Sequence, residues 1–337
     1  MRTVSFIFVA TLAAASAAGA TILFNASNAN VVVKISAHGD KGKIYYGSGV
    51  VIGPNEVVTN CHVTRNARAI TVSKGYLRHR VRQQQADIKH DLCLLRTTGM
   101  SLPTATIAES ASPLQLGEPV TVYGYPGGVG ITFFNGSIEA LYPYEGGRII
   151  ETTASIGLGT SGGGVFDATG RLIGIATFVP SRQRGRYYAV ATDWFDALRK
   201  QPATEVARLE GLAFWEVAEK NQPFFLRSAH LAGTENWASL EREAKKWTSA
   251  EASNPEAWHA LGLALQKLDK PESAIRALRE ALSLNEKHAA AWYALGMIYA
   301  SLGDQEHLTQ AKTALAILNP KLAARLNTET SECPSPC

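Results

Sequence analysis

This chain carries almost no excess of charge of either sign. Its 33 Lys and Arg against 29 Asp and Glu leave a formal +4 over 337 residues, without the concentrated basic surface that nucleic-acid binding needs. Long apolar runs are missing too. Beyond the first twenty residues none reaches the roughly 20 residues that span a bilayer, so no membrane span is expected once that leader is removed. Cysteine is rare, at four, and the Cys333-x-x-x-Cys337 spacing has no histidine beside it to make a metal site. No metal or organic cofactor is expected. Glycine thins out after residue 190, where alanine, leucine and glutamate become dense. That shift sets a domain boundary near residue 200, and 337 residues are more than one core usually fills. Disorder is excluded by 46% hydrophobic and 18% charged residues.

What is present begins with an export signal. Arg2, the apolar residues 4–12 and Ala18-Gly19-Ala20 supply its charged start, its core and its small-x-small cleavage site. Cleavage is expected after Ala20, with Ala15-Ser16-Ala17 as the second option, leaving a periplasmic or secreted chain. Exported cysteines invite disulfides, and Cys333 and Cys337 in the Pro-rich tail are close enough to pair.

From residue 30 to 190 short apolar runs alternate with Gly, Pro and Asn, as at 49–52, 57–59, 120–123 and 172–176. Such spacing predicts an all-β sandwich or barrel. Residues 47–62 read as a hairpin around Gly53-Pro54-Asn55, with His62 at the end of its second strand. An imidazole there, with an ordinary pKa of about 6.5, can take a hydroxyl proton and return it to a leaving amine. Asp91 opens the buried-strand pattern 91–95, where a carboxylate shielded from water accepts the imidazole N–H. Asp87, four residues earlier, is its competitor. Ser161 lies in Gly159-Thr160-Ser161-Gly162-Gly163-Gly164. Glycine at 159 lets the N–H groups of Gly159 and Ser161 turn toward one point, as an oxyanion hole requires. His, Asp, Ser is one of the chain orders in which such triads are built. Backbones around a triad are neighbours, so Cys61 and Cys93 either form a bridge or pack as two buried thiols.

Residues 28–198 resemble the trypsin-like serine proteases of the chymotrypsin clan, and within it the HtrA (Do/Deg) type. The matching motifs are Gly47-Ser48-Gly49, Thr59-Asn60-x-His62-Val63, Asp91-Leu92-x-Leu94-Leu95 and Gly159-x-Ser161-Gly162-Gly163, followed by a last strand at 187–191. The resemblance implies a double β-barrel with the site between the barrels, protein or peptide substrates, and an oligomer, since such enzymes often form trimers. Thr160 stands where the family usually has Asn or Asp, and Gly164 where it usually has Pro. No PDZ pattern follows, so targeting is expected to work differently. In such folds an S1 pocket would be lined by Ser155 and Ile156 before the nucleophile and by Thr177 and Phe178 after it. With no carboxylate among them, small or medium apolar P1 residues are expected; a peptide-library digest showing cleavage mainly after Arg or Lys would contradict this.

Past residue 220 the pattern is helical and repeats. Trp258 and Trp292, Leu261 and Leu295, and Gly262 and Gly296 are each 34 residues apart, the period and Trp-x-x-Leu-Gly signature of tetratricopeptide (TPR) repeats. Clear repeats are expected at 255–288 and 289–322, with 304–310 as a lengthened turn and a degenerate unit at 221–253. The expected division is therefore a signal at 1–20, a protease domain at 21–200, a helical linker at 201–220, repeats at 221–322 and a tail at 323–337. The repeats imply a concave surface for a protein partner, or a helical cap that only supports the barrel. The function expected is an exported serine endopeptidase with a repeat-bound partner. The alternative is a catalytically idle protease fold serving as a repeat-based scaffold.

Overall fold

The computed structural model describes residues 25–109, 113–178 and 186–331. The leader, most of the basic loop at 181–186, and both Cys333 and Cys337 lie outside them. Helix α1 (Ala26–Val31) is capped by the Asn25 side chain and leads into the first strand. Strands β1 (Val32–His38), β2 (Ile44–Gly53), β3 (Glu56–Thr59), β4 (Ala69–Lys74), β5 (Leu77–Arg80), β6 (Gln83–Asp87) and β7 (Leu92–Arg96) make the first β unit. The second contains β8 (Pro119–Gly124), β9 (Thr132–Tyr144), β10 (Gly147–Thr152), β11 (Gly164–Asp167), β12 (Leu172–Phe178) and β13 (Tyr187–Ala191). A two-residue β14 (Thr204–Glu205) returns to the first unit, whose strand order is β14-β6-β7-β3-β2-β1-β4-β5. Val81 donates to the Ile70 carbonyl and Arg82 to the Arg96 carbonyl, drawing the two ends of that sheet together between β5 and β6. The second unit is a closed barrel, β10-β13-β12-β11-β8-β9.

Alternation along the strands fills each interior. Val33, Ile35, Val57, Ile70 and Leu95 are fully buried in the first unit; Tyr123, Ile149, Phe166 and Tyr188 are fully buried in the second. Helix α2 (Cys61–Thr64) follows β3 directly, and α3 (Phe195–Arg199), after the last strand of the second barrel, packs against β6 and β7 of the first unit.

Seven helices follow in antiparallel array: α4 (Phe224–Gly233), α5 (Trp237–Ala250), α6 (Pro255–Lys267), α7 (Pro271–Leu284), α8 (Ala289–Leu302), α9 (Gln305–Leu318) and α10 (Pro320–Ser331). The repeated glycines sit where helices approach most closely. A Cβ at Gly262 would lie 2.5 Å from Leu278, and one at Gly296 2.6 Å from Leu326. The array is not separate from the barrel. Phe225 stacks on Tyr142 at 4.4 Å, and Phe225, Leu226, Trp247 and Ala257 belong to the same apolar core as the second barrel. No helix among the described residues is long and apolar enough to cross a membrane.

Three expectations need correction. Residues 201–220 are not a helical linker. Pro202 and Gly211 break any helix there, and the backbone bonds the barrel instead, Leu209 N–H to the Arg65 carbonyl and Phe214 N–H to the Lys89 carbonyl. The turn expected at 304–310 is short, because Asp304 caps a helix that already begins at Gln305. Pro320 does not end the helical array. It occupies the first position of α10, where its missing N–H costs nothing, so residues 320–331 are helix rather than tail.

Candidate active site

Each expected catalytic side chain comes from a different connection between strands. Residue 62 sits in the single turn of α2 after β3 rather than in the strand itself. Thr59 pairs with Cys93 across β3 and β7, which brings Cys61 beside that strand, and a Cys61–Cys93 disulfide joins them. The same ladder sets Asp91, the residue before β7, against His62. Asp91 has φ of 59°, a left-handed conformation that Asp tolerates better than most residues. This conformation turns its carboxylate back over α2.

Asp91 is 1% exposed and its carboxylate accepts three bonds. Oδ1 receives the His62 backbone N–H at 2.8 Å, Oδ2 meets His62 Nδ1 at 2.6 Å, and the Trp215 indole N–H reaches Oδ2 at 3.3 Å. A carboxylate can only accept, so Nδ1 carries the proton and Nε2 keeps its lone pair. Asp87, the competitor, is occupied elsewhere. It binds His90 Nδ1 at 2.8 Å; burial opposes its charge, yet that bond holds its carboxyl below the usual range.

Ser161 lies near the end of the turn that leads into β11. Its hydroxyl donates to the Thr177 carbonyl at 3.2 Å, and no hydrogen bond among the described residues joins it to His62. Around it alternate N–H groups are used and left open. Thr160 N–H goes to the Gly157 carbonyl, Gly162 N–H to Ala176 and Gly163 N–H to Thr160, while no acceptor among the described residues takes the N–H of Gly159 or Ser161. The Leu158 carbonyl is turned away by the Gly127 N–H at 2.8 Å, which points the Gly159 N–H to the opposite side of that trans peptide. Gly159 has φ of +90°, and a Cβ there would lie 2.6 Å from the Tyr125 carbonyl oxygen. Gly164 also has a steric reason: a Cβ would lie 2.4 Å from the Phe166 ring, so the Pro common at this position does not fit beside Phe166.

Of the expected S1 residues, Ser155 is half-buried and Ile156 buried. Thr177 turns inward, its hydroxyl donating to the Ile175 carbonyl and accepting from Asn60 Nδ2. Phe178 ends β12, paired with Tyr188, and its side chain lies outside the described residues.

Several contributors carried no expected role. Asn60 Nδ2 also holds the Asp91 carbonyl at 2.9 Å. Ser48 Oγ ties the Gly159 carbonyl to the Tyr125 N–H, both at 2.8 Å. Both residues sit inside the motifs quoted above, which was the available signal. Trp215 gave none. It comes from the irregular segment after the barrels, packs edge-on against His62 with ring centres 5.4 Å apart, and is followed by Glu216, which pairs with both terminal nitrogens of Arg65. Burial opposes the Glu216 charge, but Arg65 and the Ala213 N–H keep its carboxyl below the usual range.

Residues 47–175 match the family model of the trypsin-like peptidase domain, and residues 255–317 that of the tetratricopeptide repeat. The chain carries a trypsin-like peptidase domain followed by TPR repeats. The similar proteins are of HtrA/DegP type. A "Probable serine protease do-like" of Buchnera aphidicola is 36% identical over 145 residues, 40% of this chain and 30% of that protein. The "Periplasmic serine endoprotease DegP" of Escherichia coli K12 is 33% identical over 143 residues, 40% of this chain and 30% of that protein. The match thus spans under a third of these relatives' length. Among solved structures, the Rv3671c protease of Mycobacterium tuberculosis in its active form aligns at 26% identity and a TM-score of 0.49, over 54% of this chain and 85% of that one. The peptidase domain therefore has its matched segment ending inside β12, and the irregular segment carrying Trp215 lies outside it.

Proposed function

We propose that this chain is an exported serine endopeptidase acting on proteins or peptides, with its repeats holding a protein partner. The His62–Asp91 pair at 2.6 Å, placed beside a serine loop with two open N–H groups, carries the reading. Ser161 Oγ attacks the scissile carbonyl as His62 Nε2 takes its proton; the carbonyl oxygen becomes an oxyanion facing the Gly159 and Ser161 N–H groups. Collapse expels the amine, which leaves with the proton from His62, and an acyl-enzyme remains. Water, deprotonated by His62, then releases the acid and restores Ser161. Asp91 holds the Nδ1–H tautomer and stabilises the imidazolium. The Ser161 bond to the Thr177 carbonyl is the resting rotamer, and rotation about χ1 toward His62 begins the reaction; catalytic hydrogen bonds often form only with substrate present.

Labelling of the wild-type chain by a fluorophosphonate probe, lost in Ser161→Ala, is the expected result. A wild type that takes no label under any substrate or partner addition overturns the enzyme reading in favour of an idle scaffold.

A further inference from the structure

The barrel and the repeats meet around polar side chains that the proposed reaction does not use. A cavity of about 90 Å³ lies there, walled by Tyr142, Glu151 and Arg186 from the barrel and by Glu256, His259 and His288 from the repeats. Glu256 and His259 stand three residues apart on α6, so they share one face of that helix. His288 is the residue before α8.

Two of these groups are buried and His259 is half-buried. Glu256 is 6% and His288 1% exposed. His288 Nε2 has no hydrogen-bond partner among the described residues, and the His259 ring lies against the His288 ring, with centres 4.7 Å apart. Buried polar groups left this way carry an unrecovered desolvation cost and call for a bound species.

The spacing says which species. The candidate ligand atoms of the three all lie within 4.8 Å of one another. Glu256 Oε1 and His288 Nε2 are 3.3 Å apart, and the edge of a tetrahedron with metal–ligand bonds of 2.0–2.1 Å is also about 3.3 Å. An ordinary Glu–His ion pair accounts for two of the groups and leaves His259 unexplained.

The repeat pattern singles out His288. It lies 34 residues after Asn254, and the two are equivalent caps. Asn254 accepts the Glu256 N–H and His288 Nδ1 the Ala291 N–H. Asn is a preferred cap and His is not, so capping alone does not call for an imidazole. Ligation through Nε2 puts the ring proton on Nδ1 and exchanges the Ala291 bond for the metal bond. Arg186 opposes a cation in this cavity, but Glu151 pairs with it at 3.0 Å and offsets its charge.

We propose that Glu256, His259 and His288 bind a divalent transition-metal ion, with zinc the best match to a two-His, one-carboxylate tetrahedral set completed by water. The ion links the starts of α6 and α8 on the face that packs against the barrel.

The test uses the full chain, stripped with chelator and titrated with Zn²⁺ or Co²⁺. One zinc per chain by elemental analysis, the visible bands of tetrahedral cobalt, and a zinc-dependent rise in Tm are expected. His288→Asn restores the cap residue of the preceding repeat while removing a ligand; it should keep the metal-free Tm and weaken zinc binding more than about 100-fold, beyond what a lost outer-shell partner costs. Should that variant not fold, His259→Gln, on the less buried side, carries the same expectation. A wild type that binds no stoichiometric metal, or variants that bind it as tightly as the wild type, overturns the proposal. None of these readouts depends on peptidase activity.

Discussion

The chain keeps buried polar groups in two opposite ways. Around the peptidase acid they are paired: Asp91 accepts from the His62 backbone, the His62 ring and Trp215, and Asn60 Nδ2 and Ser48 Oγ hold the surrounding backbone. At the seam between barrel and repeats Glu256, His259 and His288 converge, and His288 Nε2 has no hydrogen-bond partner among the described residues. A paired network has one low-energy geometry and is therefore preorganised for chemistry. An unpaired cluster has a defined shape but an unmet demand, which a ligand can satisfy. In the cleft the Gly159 and Ser161 N–H donors have no acceptor among the described residues, and there the demand is for a charge that exists only during the reaction.

Removing the central acceptor should break the contrast most severely. Asp91→Asn keeps the shape but no longer favours the Nδ1–H tautomer, and kcat is expected to fall by about 10⁴-fold, the size associated with neutralising a triad acid. Steady-state turnover of a peptide substrate reads this directly, and a loss below tenfold would mean that Asp91 is not the orienting group.

Trp215→Phe is the sharper probe because it retains a ring against His62 and deletes one N–H bond to Asp91. Kcat should fall by about tenfold with KM nearly unchanged, as expected for one hydrogen bond to a charged group. With less stabilisation of the carboxylate, the His62 imidazolium is favoured, so the acid limb of the kcat/KM profile should move to higher pH. A structural role alone would leave that limb in place.

The smallest effect belongs to Glu216→Gln. The Glu216 carboxyl lies below its ordinary value in the folded chain, so its pairing with Arg65 contributes stability above the unfolded pKa and loses it as pH falls through the folded one. The pair is partly exposed, with side chains at 24% and 13%, and screening limits the contribution to about 1 kcal/mol. Thermal unfolding should show a small gap between wild type and variant at neutral pH that closes in acid. A gap of constant size across that range would mean packing rather than charge.

Legibility followed the range over which the forces act. The hairpin at Gly53-Pro54-Asn55 and the serine loop were readable because turn geometry is local, and the 34-residue period because each repeat must present the same apolar face to its neighbours. Trp215 was unreadable. Its bond to Asp91 spans 124 residues, and the irregular segment carrying it is held to the barrel by the bonds of Leu209 and Phe214 N–H to the Arg65 and Lys89 carbonyls. The helix at 320–331 was hidden by a proline that reads equally as an end or as a first position. Gly164 departs from the family pattern, and the Phe166 ring packed behind it is visible only in the folded chain.

The sequence by itself determined the peptidase and repeat architecture, the order of His62, Asp91 and Ser161, and the glycines of the serine loop, because each follows from residue type and short-range spacing. Only the tertiary structure decided that Trp215 completes the Asp91 shell, that Thr177 faces inward, and that Glu256, His259 and His288 converge. Those depend on where distant segments come to rest, and that is set by the shared apolar core of barrel and repeats, in which Tyr142, Phe225 and Trp247 lie together.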